Sequence, residues 1–140
     1  MRYELRDATH RLIQLDGQLI SHVSTDDGEK PRWMELSVYE RDAGGYVYYS
    51  VGKSSIYHRL TCSSGRGVQR TDPDLTDKMP CNLCDPPDGL PAYKVEGDLI
   101  NLFRCADLEA VEKAATSAAG YSRPVRELLQ KLPQRGVIRL

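Results

Sequence analysis

The chain has 140 residues, 40% of them apolar and 28% charged, with 19 Lys and Arg against 20 Asp and Glu for a net charge of −1. These values exclude wholesale disorder and leave no global electrostatic pull toward nucleic acid or a membrane surface. No apolar run approaches the roughly 20 residues needed to span a bilayer. The N-terminal MRYELRDATHRL also carries acids where a signal peptide needs an apolar core. A soluble cytoplasmic protein is therefore expected, a compartment in which a few cysteines read as metal ligands before disulfides.

In chain order, residues 2–23 read as strands. HRLIQL-DG-QLISHV suggests a hairpin with a two-residue type I′ turn at Asp16-Gly17, which would place Ile13 opposite Ile20 and Leu15 opposite Gln18. STDDGEKP (24–31) is a polar loop. RWMELSVYE then alternates, with Met34, Leu36 and Val38 on one face and Trp33, Glu35, Ser37 and Tyr39 on the other. After a turn at RDAGG, YVYYSVG returns with Val47, Tyr49 and Val51 opposed to Tyr46, Tyr48 and Ser50. Ile56-Tyr57 is one more short strand beyond a GKSS turn. Residues 1–57 are thus predicted to be an antiparallel β-meander of four or five strands.

Residues 58–92 are rich in Gly, Pro, Ser, Asp and Cys and show no sustained periodicity. A loop of that length inside a compact domain needs something to hold it. Residues 93–140 return to regular structure, beginning with LINLFRC as a strand. Asp107 caps a helix through LEAVEKAATSAA that ends at Gly120. Ser122 caps a second helix, RPVRELLQKL, with Pro124 in its first turn and Val125, Leu128, Leu129 and Leu132 on one apolar face. GVIRL (136–140) is a candidate edge strand. The prediction is a single α+β domain: a meander, a zinc-stapled loop, two C-terminal helices and the edge strand.

The chemistry concentrates in His58-x3-Cys62 and, eighteen residues later, Cys81-x2-Cys84. Structural zinc takes four ligands in a tetrahedron from cysteine sulfur and histidine nitrogen. A C-x2-C pair bends into a knuckle that aims two thiolates at one metal, and the H-x3-C pair supplies the remaining two donors. Pro80 and Pro86-Pro87 bracket the knuckle. The competing readings are unrelated buried thiols beside a surface histidine, and a redox C-x-x-C. Redox motifs usually open a helix, and Asp85-Pro86-Pro87 prevents one here. Four protein ligands would leave no position for water, so one structural Zn2+ per chain is expected rather than a catalytic one. Cys105 reads as a buried small residue, and His10 and His22 as sheet-surface residues on the two arms of the first hairpin.

MPCNLCDP (79–86), preceded by His58-x3-Cys62, resembles the P-C-x-x-C-x-P knuckle and upstream ligand pair of the Ada-type metal-binding domain. Similar short zinc modules occur attached to bacterial nuclease-like domains. The resemblance covers about residues 57–87. In that family all four ligands are cysteines, and the first accepts a methyl group from DNA phosphotriesters. His58 stands at that position here, and an imidazole cannot perform thiolate chemistry. The resemblance therefore implies a zinc site without methyl transfer.

Charge is unevenly distributed. Between Ala43 and Thr71 there are four bases, Lys53, Arg59, Arg66 and Arg70, and no acid; residues 72–98 carry −5; residues 121–140 carry +4 and include Arg123 and Arg126. If the two basic stretches share a face, they suit a phosphate backbone, with Tyr46, Tyr48, Tyr49 and Tyr57 available for stacking. The competing reading is a dipolar, solvated surface. No P-loop, dinucleotide fingerprint or G-x-S-x-G elbow is present. Three function classes remain open. The first is a non-catalytic zinc protein that binds nucleic acid as an accessory or regulatory factor. The second is a protein-interaction module or inhibitor docking through its tyrosine-rich sheet or C-terminal helix. The third is a small metal-dependent nuclease drawing on Glu35, Glu40 and Lys53.

Overall fold

A computed structural model describes residues 1–63, 65, 70–72, 75–84, 93–117 and 120–133, with backbone alone for Arg70 and Asp72. In chain order the described elements are β1 (Arg2–Arg6), β2 (Leu12–Ser24), β3 (Arg32–Arg41), β4 (Tyr46–Ser54), β5 (Ile56–His58), β6 (Arg70–Asp72), β7 (Met79–Pro80), β8 (Tyr93–Val95), β9 (Leu99–Cys105), α1 (Leu108–Thr116) and α2 (Arg123–Gln130). The expected α+β class holds: a curled antiparallel sheet is followed by two helices. The candidate edge strand at 136–140 lies outside the described residues. The chain divides into two compact units, one of Met1–Thr25, Glu35–Val51 and Ile100–Leu140, the other of Asp26–Met34 and Gly52–Leu99. We call them the helical unit and the cysteine unit.

The helical unit is built on a five-stranded sheet in the order β1-β2-β3-β4-β9. Asp16-Gly17 is not a turn. It lies inside β2, a single strand of 13 residues. Ile13 pairs with Leu5 and Leu15 with Tyr3 instead of with the following residues. The first hairpin turn falls at residues 7–11, where Asp7 Oδ1 accepts from the N–H groups of Thr9 and Arg11, each at 2.9 Å. His10 sits in that turn with φ +64°, not on a hairpin arm. At Asp16-Gly17 the pairing of β2 passes from β1 to β3: Gly17 N–H donates to Met1 O, and Asp42 N–H to Asp16 O. A Cβ at Gly17 would lie 2.1 Å from Glu40 O. The glycine therefore answers a close backbone approach, the usual alternative meaning of Gly inside a strand.

One irregularity sets how the unit packs. The register shifts between Leu19, opposite Tyr39, and Ser21, opposite Val38. An extra residue on one strand turns the following side chains to the other face. Before the bulge, Leu15 packs with Leu5, Tyr39 and Val47. After it, Val23 packs with Leu36, Val38 and Tyr48 against Val111, Ala115, Val125, Leu128 and Leu132 of the helical segment. The two faces of the sheet thus carry separate apolar clusters, and the alternation read in β3 and β4 distributes their residues between them. Cys105 lies buried in the larger cluster, as expected. Ser21 Oγ donates to Leu128 O at 2.7 Å, tying α2 to the sheet.

Both helices start where predicted. Asp107 accepts from Ala110 N–H at 2.8 Å. Ser122 stands extended before α2 but makes no side-chain capping bond. The first helix ends at Thr116, earlier than its alanine-rich pattern suggests, and Gly120 closes the turn with φ +60° and its N–H on Thr116 O.

The cysteine unit carries a four-stranded sheet in the order β6-β8-β5-β7. The expected loop of 58–92 is therefore partly a sheet of its own. Strands of two or three residues are too short to display a period. GKSS is not a turn: Gly52 to Ser54 continue β4, and Ser55 alone separates it from β5, with its N–H on Pro31 O at 2.8 Å. The fifth strand of the large sheet is consequently β9, not the Ile56-Tyr57 strand. Apolar burial in the cysteine unit centres on Tyr57, Tyr93 and Val95, with the two tyrosine rings edge to face at 5.3 Å.

Candidate metal centre

Strand pairing explains why two ligand pairs distant in sequence meet. β5 runs parallel to β7 with Tyr57 beside Pro80, so the next residues, His58 and Cys81, lie side by side. Cys81 N–H donates to Tyr57 O at 3.0 Å, which fixes the start of the knuckle. The knuckle then turns, with Cys84 N–H on Cys81 O at 3.0 Å. On the other arm a turn closed by Cys62 N–H on Arg59 O brings Cys62 back toward His58.

The ligand atoms of His58, Cys62, Cys81 and Cys84 all lie within 4.8 Å of one another. Among the described residues no other group of three or more His, Cys, Asp or Glu gathers this way. Tetrahedral zinc, with Zn–S of about 2.3 Å and Zn–N of about 2.0 Å, requires S···S edges of about 3.8 Å and S···N edges of about 3.6 Å. Cys62 Sγ lies 3.6 Å from His58 Nδ1, and Cys81 Sγ lies 3.4 Å from Cys84 Sγ. These two edges are within about 0.4 Å of the tetrahedral values, and the remaining ones are at most 4.8 Å. Two backbone N–H groups already point at sulfur: Leu83 at Cys81 Sγ and Arg59 at Cys84 Sγ, both at 3.3 Å. The donor set therefore fits a metal ion.

Without a metal ion, the electrostatics favour the protonated forms of these groups. Burial pushes the Cys84 thiol up, and the Arg59 N–H only partly opposes it. Thiols packed this closely do not ionise together unaided, whereas a metal deprotonates its coordinating thiols outright. For His58, burial opposes the imidazolium, but hydrogen bonds to Glu96, Cys62 and Cys81 outweigh it and raise the pKa above the ordinary value.

Three residues at this centre escaped the sequence reading. Glu96 Oε2 lies 2.7 Å from His58 Nε2, and the two side chains are 0% and 1% exposed. Arg32 grips the same carboxylate with Nε on Oε1 at 3.0 Å and Nη2 on Oε2 at 2.5 Å. Ser54 Oγ donates to Oε1 at 2.7 Å. Burial alone would raise the Glu96 pKa, but the hydrogen bonds from Arg32, Ser54 and His58 overcome it and hold the group at about 2. Nothing local announces this cluster, because the partners of Glu96 stand 64, 42 and 38 residues away.

The six cations suggested for nucleic acid divide between the units. Lys53 Nζ sits 3.3 Å from Asp98 Oδ2. Arg59 is half-buried beside Cys84. Arg70 lies in β6 and is described by backbone alone, and Arg66 lies outside the described residues. Arg123 pairs with Glu127 at 3.2 Å, and Arg126 is exposed on α2. Of the tyrosines proposed for stacking, Tyr48 and Tyr57 are buried while Tyr46 and Tyr49 are half-buried in apolar clusters. Glu35 and Glu40 both lie in β3, with Glu40 exposed opposite Gln18.

Fold and site together define an α+β protein that carries a His/Cys3 group within metal-binding distance. The chain matches no protein-family model, no curated protein and no solved structure. The Ada-type resemblance accordingly rests on the ligand pattern of residues 57–87. No described helix is long and apolar enough to cross a membrane.

Proposed function

We propose that this is a non-catalytic protein stapled by one structural Zn2+, held by His58 Nδ1 and the thiolates of Cys62, Cys81 and Cys84. The carrying observation is the convergence of these four donors within 4.8 Å of one another, with two edges, of 3.6 and 3.4 Å, near those of a zinc tetrahedron. Four protein ligands close the coordination sphere, so no open position is left for a substrate or an activated water. The binding energy, on the order of 10 kcal/mol for structural zinc, goes into ordering the 58–84 segment. Metal analysis of the purified chain should find one zinc per molecule, and Cys81→Ser should release it. A folded native chain without metal would refute the reading.

Around this staple, the exposed side chains favour a protein partner over nucleic acid. Leu83, at the tip of the knuckle, is 80% exposed, Leu60 is 54% exposed, and Met79, four residues before Leu83, is also exposed. Lys53 is offset by Asp98. We read the protein as an interaction or regulatory module that presents this surface. Oligonucleotides, single-stranded or duplex, should show no binding at about 50 mM salt. Binding that weakens steeply toward about 200 mM would instead support the nucleic-acid reading.

A further inference from the structure

We propose that Glu96 is a positioning residue for the metal centre. It selects Nδ1 of His58 as the ligating nitrogen, and Arg32 and Ser54 lock Glu96 in that role. The inference rests on the zinc reading above and adds to it the residues that fix the geometry of its only nitrogen ligand.

A ligating imidazole must be neutral, and which nitrogen carries the lone pair is set by the hydrogen bond the other one makes. An ionised carboxylate only accepts hydrogen bonds. At 2.7 Å from Glu96 Oε2, Nε2 of His58 is therefore the protonated nitrogen, and Nδ1 keeps the lone pair on the side of Cys62. Ligating histidines commonly donate their second N–H to a carboxylate in this way, which fixes the ring and makes the ligand more basic.

Glu96 itself has no freedom to do otherwise. Both oxygens of its carboxylate are engaged among the described residues. Oε1 takes Arg32 Nε and Ser54 Oγ, while Oε2 takes Arg32 Nη2 and His58 Nε2. The bidentate guanidinium also sets the plane of the carboxylate. Backbone bonds hold the three participating segments together: Glu96 N–H on Ile56 O at 3.1 Å and Ser55 N–H on Pro31 O at 2.8 Å. A buried ion pair is weak evidence of stabilisation, since apolar residues of similar volume often serve as well. Burial of a carboxylate against a metal-ligand histidine is better explained by what it does to that histidine.

The test is zinc competition against a chromophoric chelator with the full chain, comparing wild type, Glu96→Gln, His58→Cys and the double variant. Glu96→Gln should weaken zinc binding about 10–100-fold while one equivalent still binds at saturation. In the His58→Cys background the ligand is a thiolate with no tautomer to select. There Glu96→Gln should change affinity by no more than about twofold, the scatter expected of uncoupled sites. Nitrogen-15 NMR of the zinc-loaded wild type needs no variant and should show His58 protonated at Nε2 and coordinated through Nδ1. Equal zinc affinity of wild type and Glu96→Gln would overturn the proposal. So would an equal loss in both backgrounds, or coordination through Nε2. A wild-type chain that takes up no zinc would overturn the zinc reading itself, and this inference with it.

Discussion

The two units of this chain are held together by different physics. In the helical unit, ten buried residues from four strands and the helical segment form one apolar cluster, with a second on the opposite face of the sheet. Fully burying one such side chain contributes about 1.5–3 kcal/mol, and many act together. In the cysteine unit, apolar burial centres on Tyr57, Tyr93 and Val95, while the neighbouring interior holds His58, Glu96 and thiols. No single apolar contact there approaches the ~10 kcal/mol of a structural zinc site. On the zinc proposal, the short-stranded, polar-cored unit would depend on its metal, whereas the sheet covered by helices would not.

This contrast can be broken by substitution, from the largest effect to the smallest. Cys84→Ser, at the most buried of the three thiols, should abolish tight metal binding and expose the 58–84 segment to limited proteolysis while α1 and α2 resist. Equal resistance throughout would remove the distinction between the units. Leu128→Ala, at a fully buried position of α2, should lower unfolding free energy by about 2–5 kcal/mol and leave the zinc stoichiometry at one. Denaturant titration with parallel metal analysis reads both. Gly17→Ala forces a Cβ onto Glu40 O and should cost about 1–3 kcal/mol, again without metal loss. Asp107→Ala removes the α1 cap and should cost about 1 kcal/mol, seen as a small fall in Tm.

The same contrast governed what could be read in advance. Regular spacing revealed α1, α2, β3 and β4, because each presents a repeating apolar face. The ligand quartet was legible because its residue types and spacing are constrained by coordination chemistry. The Asp16-Gly17 reading failed because Gly serves both tight turns and close backbone approach, and only the position of β3 decides between them. A bulge at residues 19–21 was equally invisible, yet it decides which face of β2 meets the helices. Of the small sheet only the Ile56-Tyr57 strand was read, because its strands are two or three residues long. Glu96 could not be found from sequence, since an acid between Val95 and Gly97 looks like a surface residue until Arg32, Ser54 and His58 surround it.

Amide hydrogen exchange before and after metal removal by a chelator tests the central claim most directly. The account predicts that Met79, Cys81, Cys84 and Glu96, whose N–H groups bond within the cysteine unit, lose protection when the metal is removed. The amides of β2, α1 and α2 should keep theirs. Protection unchanged in both units after the metal is removed would contradict the claim that zinc holds the cysteine unit together.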